Sequence, residues 1–219
     1  MSMLLVPLAF TAGLLALTVL PRLHATQALL WSFWGAGGVL LAWLAVIALG
    51  ANWLTKGDGK WEWGDDDQTL LRQTEKPTSA SCLNTTVTGA RGTWRCAVKA
   101  PDGTTAAGLL FQVNKELTEG FALLLTPQGA RLLDLGQKGR VLWESDKAKL
   151  TAGTPFVLEG LVQTDRLVAR VLSADGKTVI VESPPVYVSD KNNEREGCLG
   201  VRTEGGVAEF PSWSLADDE

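Results

Sequence analysis

A net charge of -4 over 219 residues, from 20 Lys and Arg against 24 Asp and Glu with no basic cluster, excludes a nucleic-acid partner, because phosphate binding needs concentrated cations. A single histidine and three dispersed cysteines cannot assemble a tetrahedral zinc set. The first quarter of the chain is compositionally unlike the rest, so the two parts are read separately.

No charged side chain occurs from Met1 to Pro21, and none from Ala25 to Thr55. Each stretch matches the roughly 20 apolar residues needed to cross a bilayer, so two transmembrane helices are expected, over about 3–20 and 27–54. A cleaved signal peptide is the rival, but "MSMLLVPLAF" lacks a basic n-region and "LHA" before Thr26 is a poor cleavage site. The short connection "PRLHATQ" makes the pair an antiparallel hairpin. Arg22 in that loop places it in the cytoplasm, against an opposing bias from Lys56 and Lys60. The chain is then a two-pass protein of a bacterial inner membrane with its C-terminal domain periplasmic. Small residues at Ala9, Gly13, Gly35, Gly38 and Ala42 offer close helix packing, within the hairpin or onto other membrane-protein subunits. Trp31, Trp34 and Trp53 read as interfacial anchors. Neither segment contains a charged residue or histidine, so neither supplies a proton relay or a haem ligand, and no cofactor is expected. His24, in the loop, is read as a polar loop residue, which leaves a Ser-His-Asp system without its base.

Residues 55–59 form a stalk that reaches at most about 17 Å, which holds the following domain near the bilayer. Beyond it, short apolar runs alternate with Gly, Pro, Asn and Asp, the pattern of an all-β sandwich over residues 60–216 with an acidic tail at 217–219. Expected strands include "KWEW", "TLLRQTE", "SCLNTTV", "TWRCAVKA", "AGLLFQVN", "GFALLLT", "RVLWES", "PFVLEGLVQ", "RLVARVLS", "TVIVES", "CLGVRTE" and "VAEFPSWSL". Turn signals "PDG", "PQG" and "ADG" separate several of them.

Cys82 and Cys96 are equidistant from Gly89, so a hairpin turning at "TGARG" sets them opposite each other. A disulfide there contributes about 3 kcal/mol by loop closure. Cys198 is left over as a buried thiol, with a Cys82 to Cys198 bridge as the alternative.

The second half is more specific. "TPFVLEGLVQTDRLVARVLSADGKTVIVES" and "GCLGVRTEGGVAEFPSWSL" resemble the closing strands of the concanavalin A-like lectin/glucanase superfamily in its laminin-G-like form, through Gly197, Gly200, Val201, Arg202, Thr203, Ala208 and Phe210. The resemblance implies a jelly-roll sandwich. It also makes "GKWEWGDDDQTLLRQ" the opening hairpin, with Trp61 and Trp63 on one face, open to membrane, partner or core, and the aspartates at its turn. Asp65, Asp66 and Asp67 are read as that solvated turn rather than a calcium loop, since consecutive strand residues face opposite ways.

Glycosidases of the superfamily need clustered carboxylates. Their E-x-D-x-x-E pattern is absent, and Glu144 and Asp146 lack a third acid, so no enzyme and no catalytic residue is expected. Glycan binding calls for exposed aromatics at a sandwich edge, whereas Trp94, Trp143 and Trp213 sit in strand patterns that suit a core. The leading expectation is therefore a non-catalytic, membrane-anchored accessory subunit of a larger assembly, such as a photosynthetic reaction-centre, antenna or respiratory complex. The alternative is an envelope glycan-binding module, ahead of a sugar-active hydrolase.

Overall fold

The computed structural model describes residues 53–64, 70–188 and 196–216. The expected membrane hairpin, with Ala9, Gly13, Gly35, Gly38, Ala42, Trp31 and Trp34, lies outside the described residues, as do Asp65, Asp66, Asp67 and the acidic tail. Among the described residues, no helix is long and apolar enough to cross a membrane.

Among the described residues, sixteen strands follow one another: β1 (Trp53–Gly57), β2 (Trp61–Trp63), β3 (Leu71–Gln73), β4 (Ala80–Gly89), β5 (Gly92–Val98), β6 (Ala106–Val113), β7 (Phe121–Thr126) and β8 (Gly129–Asp134), and after a 3₁₀ turn β9 (Arg140–Ser145), β10 (Phe156–Val162), β11 (Arg166–Leu172), β12 (Val179–Glu182), β13 (Val186–Tyr187), β14 (Gly197–Glu204), β15 (Ala208–Phe210) and β16 (Trp213–Ala216). They build a seven-stranded sheet in the order β1-β4-β14-β6-β7-β8-β9 and a six-stranded sheet containing β12-β11-β10-β5-β16, with β13 on β11. A three-stranded sheet, β15-β3-β2, completes the domain. All neighbours pair antiparallel, giving a jelly-roll-like β-sandwich.

Period-two alternation explains the core. Leu109 and Phe111 of β6, Leu123 and Leu125 of β7, and Trp94, Cys96, Leu158, Leu167 and Val171 of the six-stranded sheet share one buried cluster. Each such large side chain contributes about 1.5–3 kcal/mol on burial. Gly160 sits under the Phe111 ring, where a Cβ would approach Cε2 and Cζ to 2.9 Å, so only glycine leaves room for the aromatic. The opposite face of the seven-stranded sheet is apolar too: Leu83, Leu110, Ala122, Leu124 and Cys198 form a second buried cluster. On the same face the strand registers set the ion pairs Arg131–Glu144 and Arg202–Glu204 beside that apolar cluster.

The turn signals act as expected. In "ADG", Gly176 takes a φ of +68°, its N–H donates to the Ser173 carbonyl at 2.8 Å, and the Asp175 carboxylate accepts from the Lys177 N–H at 3.0 Å.

Three expectations are corrected. Residues 55–59 are not a stalk: Trp53–Gly57 is β1, hydrogen-bonded to β4 in register Trp53 with Asn84 and Gly57 with Ala80. Trp53 and Leu54 therefore open the sheet instead of closing a helix. Cys82 and Cys96 are not hairpin partners, because β4 pairs with β1 and β14 whereas β5 pairs with β10 and β16 in the other sheet. All three cysteines are buried free thiols. Finally, "VAEFPSWSL" is two strands, since Pro211 cannot donate to a ladder: β15 joins β3, and β16 crosses to β5.

Candidate functional site

The opening hairpin forms as the resemblance implied, with Trp61 opposite Gln73 and Trp63 opposite Leu71. Alternation in the three-stranded sheet divides its side chains. Trp61, Trp63, Leu71, Gln73, Ala208 and Phe210 face one way; Glu62, Arg72 and Glu209 face the other.

On the first face, Trp63 meets Trp53 with ring centroids 5.4 Å apart and an interplanar angle of 76°. Trp213 joins both, at 5.2 Å from Trp53 and 5.7 Å from Trp63. Trp61 lies 6.0 Å from Phe210. Edge-on contacts of Trp53 with Trp63 and Trp213, and a tilted one between Trp63 and Trp213, make this a structural cluster that ties β1, β2 and β16 together, at roughly 0.5–1.5 kcal/mol per aromatic pair beyond burial. Trp53, Trp61, Trp63 and Trp213 all remain half-buried, whereas Trp94 is fully enclosed and Trp143 is half-buried against the core.

The second face carries charge. Arg72 Nη2 lies 2.7 Å from Glu209 Oε1, and Lys60 Nζ lies 2.5 Å from Glu62 Oε1. The strand row continues into Lys99 just beyond β5, whose backbone N–H donates to the Glu209 carbonyl at 2.9 Å and whose carbonyl accepts from the Glu209 N–H at 2.8 Å. Arg72, Thr74, Lys99 and Glu209 line a cleft of about 380 Å³ together with Gln73, Pro101, Gly153, Val207 and the small residues Ala100 and Ala208. Aliphatic walls with a few polar side chains and one carboxylate are the composition of a small polar-ligand site. Gln73, at the base of this sheet, is completely buried, and neither of its amide atoms has a hydrogen-bond partner among the described residues. The Trp61 indole N–H opposite it is likewise unpartnered. Sequence reasoning passed over Arg72, Gln73, Lys99 and Glu209, because no local spacing joins them.

The carboxylates considered for catalysis are not assembled. Glu144 lies on β9 and faces Arg131 at 3.7 Å, and Asp146 follows in the turn. A third acid, Glu159, is buried on the six-stranded sheet with its side chain 2% exposed. Arg95 Nη2 holds its Oε2 at 2.5 Å and Arg170 Nη1 its Oε1 at 3.0 Å. Arg170 in turn reaches Glu182, and hydrogen bonds to Glu182 and then Glu159 raise its pKa. Two guanidinium groups occupy both oxygens of Glu159, which suits a structural ladder and not proton transfer. No group of three or more His, Cys, Asp or Glu among the described residues could hold a metal ion.

No family model matches the chain, and no curated protein matches it. Solved structures do share its fold. The carbohydrate-binding module CBM66 from Bacillus subtilis aligns at a TM-score of 0.58 and 15% identity, over 74% of this chain and 93% of that one. The shared fold is a jelly-roll β-sandwich. The VIP36 exoplasmic/lumenal domain, in a Ca2+- and Man3GlcNAc-bound form, aligns at a TM-score of 0.52 and 13% identity over 77% of this chain and 84% of that one. The Lotus tetragonolobus seed lectin aligns at 0.51 and 10% identity, over 76% and 95%. At these identities the likeness shows the fold alone, one consistent with a concanavalin A-like jelly roll.

Proposed function

We propose that the sandwich is a non-catalytic glycan-binding module and that the cleft beside Arg72 and Glu209 receives the sugar. The observation that carries this reading is the cleft's composition: Arg72, Lys99, Thr74 and Glu209 line it together with aliphatic residues in a volume of about 380 Å³. Sugar hydroxyls donate and accept together, so a site offering both Arg72 and Glu209 suits them better than one offering donors alone. Support also comes from the carbohydrate-binding module and lectins that share the fold. They favour a glycan ligand over the role of an energy-transducing subunit. Among the described residues no third acid joins Glu144 and Asp146, and Glu159 is locked by two arginines, which supports a binding role over hydrolysis. The charge-free stretches before residue 53 support placing the module at a membrane surface.

Glycan-array binding by the full chain in mild detergent tests the reading. Binding to a defined saccharide class is expected, with loss in Arg72→Ala at an unchanged melting temperature. A full array without a retained glycan, from protein shown to be folded, sinks it.

A further inference from the structure

Within the cleft the charges do not cancel. Arg72 and Lys99 are positive and Glu209 is negative, in a chain whose net charge is -4. Arg72 is already engaged, Nη2 to Glu209 Oε1 at 2.7 Å, so that pair is neutral as a unit. Lys99 is exposed and has no ion-pair partner among the described residues. Its place is fixed by the two backbone hydrogen bonds to Glu209, which set its stem beside that residue while Glu209 turns to Arg72. One uncompensated ammonium therefore stands at the edge of a saccharide-sized cleft, next to a donor and acceptor pair able to hold hydroxyls.

We propose that the ligand is an acidic glycan and that Lys99 takes the carboxylate of a uronic-acid residue while Arg72 and Glu209 take its hydroxyls. This rests on the glycan-binding reading of the same cleft. A neutral sugar leaves the ammonium unused, whereas a uronate adds a charge-assisted hydrogen bond. The discrimination expected from one such bond at a partly exposed site is about tenfold in affinity.

The test uses the full chain in mild detergent at low salt with polygalacturonate, alginate and hyaluronate, each beside its own methyl ester, in which the carboxylate is masked on an unchanged backbone. At least one free acid is expected to bind about tenfold more tightly than its ester, with the preference fading as salt rises. Lys99→Met is expected to remove the preference and keep the weaker ester-level binding. Lys60→Met, whose ammonium is paired with Glu62 and lies outside the cleft lining, is expected to change neither. Equal binding to acid and ester overturns the proposal, as does a preference that survives Lys99→Met. Equally tight binding of poly-glutamate overturns it too, by showing a charge site without saccharide selectivity. Retention of neutral glycans alone on the array overturns the acidic ligand and leaves the glycan reading standing, and retention of no saccharide at all overturns both.

Discussion

Arg72 and Glu209 face each other across β3 and β15, 2.7 Å apart, with side chains 43% and 30% exposed. At that exposure the pair contributes about 0–1 kcal/mol to stability, so its value lies in presenting one donor group and one acceptor group to the cleft. Glu209→Gln is predicted to keep the melting temperature within a few degrees and to weaken glycan binding. A matched drop in stability and affinity, read by thermal unfolding beside a binding titration, would assign the pair to the fold alone.

Glu159 behaves differently because it is buried. It sits opposite Arg95 on β5 and Arg170 on β11, so truncating it leaves two guanidinium groups facing one another across the middle strand. Glu159→Ala is predicted to cost about 2–4 kcal/mol, less than breaking a fully enclosed pair at the upper end, because both arginines keep access to water. Chemical denaturation measures this as a lower midpoint at similar slope. Glycan affinity is expected to stay unchanged, since the ladder is not part of the cleft lining. A loss below about 1 kcal/mol would mean that water replaces the carboxylate at little cost.

Most of the strand pattern was legible because burial on one face writes itself into alternate residues, as in "GTWRCAV", where Trp94, Cys96 and Val98 are buried and Arg95 between them is exposed. Which sheet a strand joins was not legible. "TGARG" fits a hairpin turn and a crossover equally well, and the symmetric spacing of Cys82 and Cys96 about Gly89 favoured the wrong one. The edge strand β1 was hidden by its own composition, since "WLT" continues an apolar run and its membership depends on β4, more than twenty residues later. The cleft shows the same limit. Arg72 and Glu209 come from opposite ends of the domain and meet only through the pairing of β3 with β15. Trp61 and Trp63 were placed on one face correctly, but Trp213 joins Trp53 and Trp63 only because β16 crosses to the six-stranded sheet.

The thiols provide a third test. Burial alone pushes Cys82 up to about 12 and raises Cys96 further, and it also raises Cys198 against a smaller opposing pull from Lys115. A thiol titrating that high has almost no thiolate at neutral pH. Native protein is predicted to resist iodoacetamide at pH 8, with Cys198 the first to react. In denaturant without reductant, three thiols should be counted. A count of one would show a disulfide, with Cys82 joined to Cys96 or to Cys198, and overturn the three free thiols.

Acid stability should follow two turn carboxylates. Asp58 accepts from the backbone N–H groups of Thr78 at 3.0 Å and Ser79 at 3.2 Å, which tie the end of β1 to the start of β4 and hold its carboxyl below the ordinary value of 3.8. Asp175 is lowered in the same sense, first by the Ser173 hydroxyl and then by the Lys177 N–H. A carboxyl that titrates lower when folded binds fewer protons in the native state than in the unfolded one at the same pH. Its contribution is therefore whole above 3.8 and is lost as pH falls through the lower folded value. Asp58→Asn and Asp175→Asn are each predicted to lower the melting temperature slightly at pH 7 and to flatten its decline below pH 4. Acid limbs that run parallel in wild type and the double variant would show that other carboxylates govern acid unfolding, with Asp58 serving only as a neutral acceptor for the β4 turn.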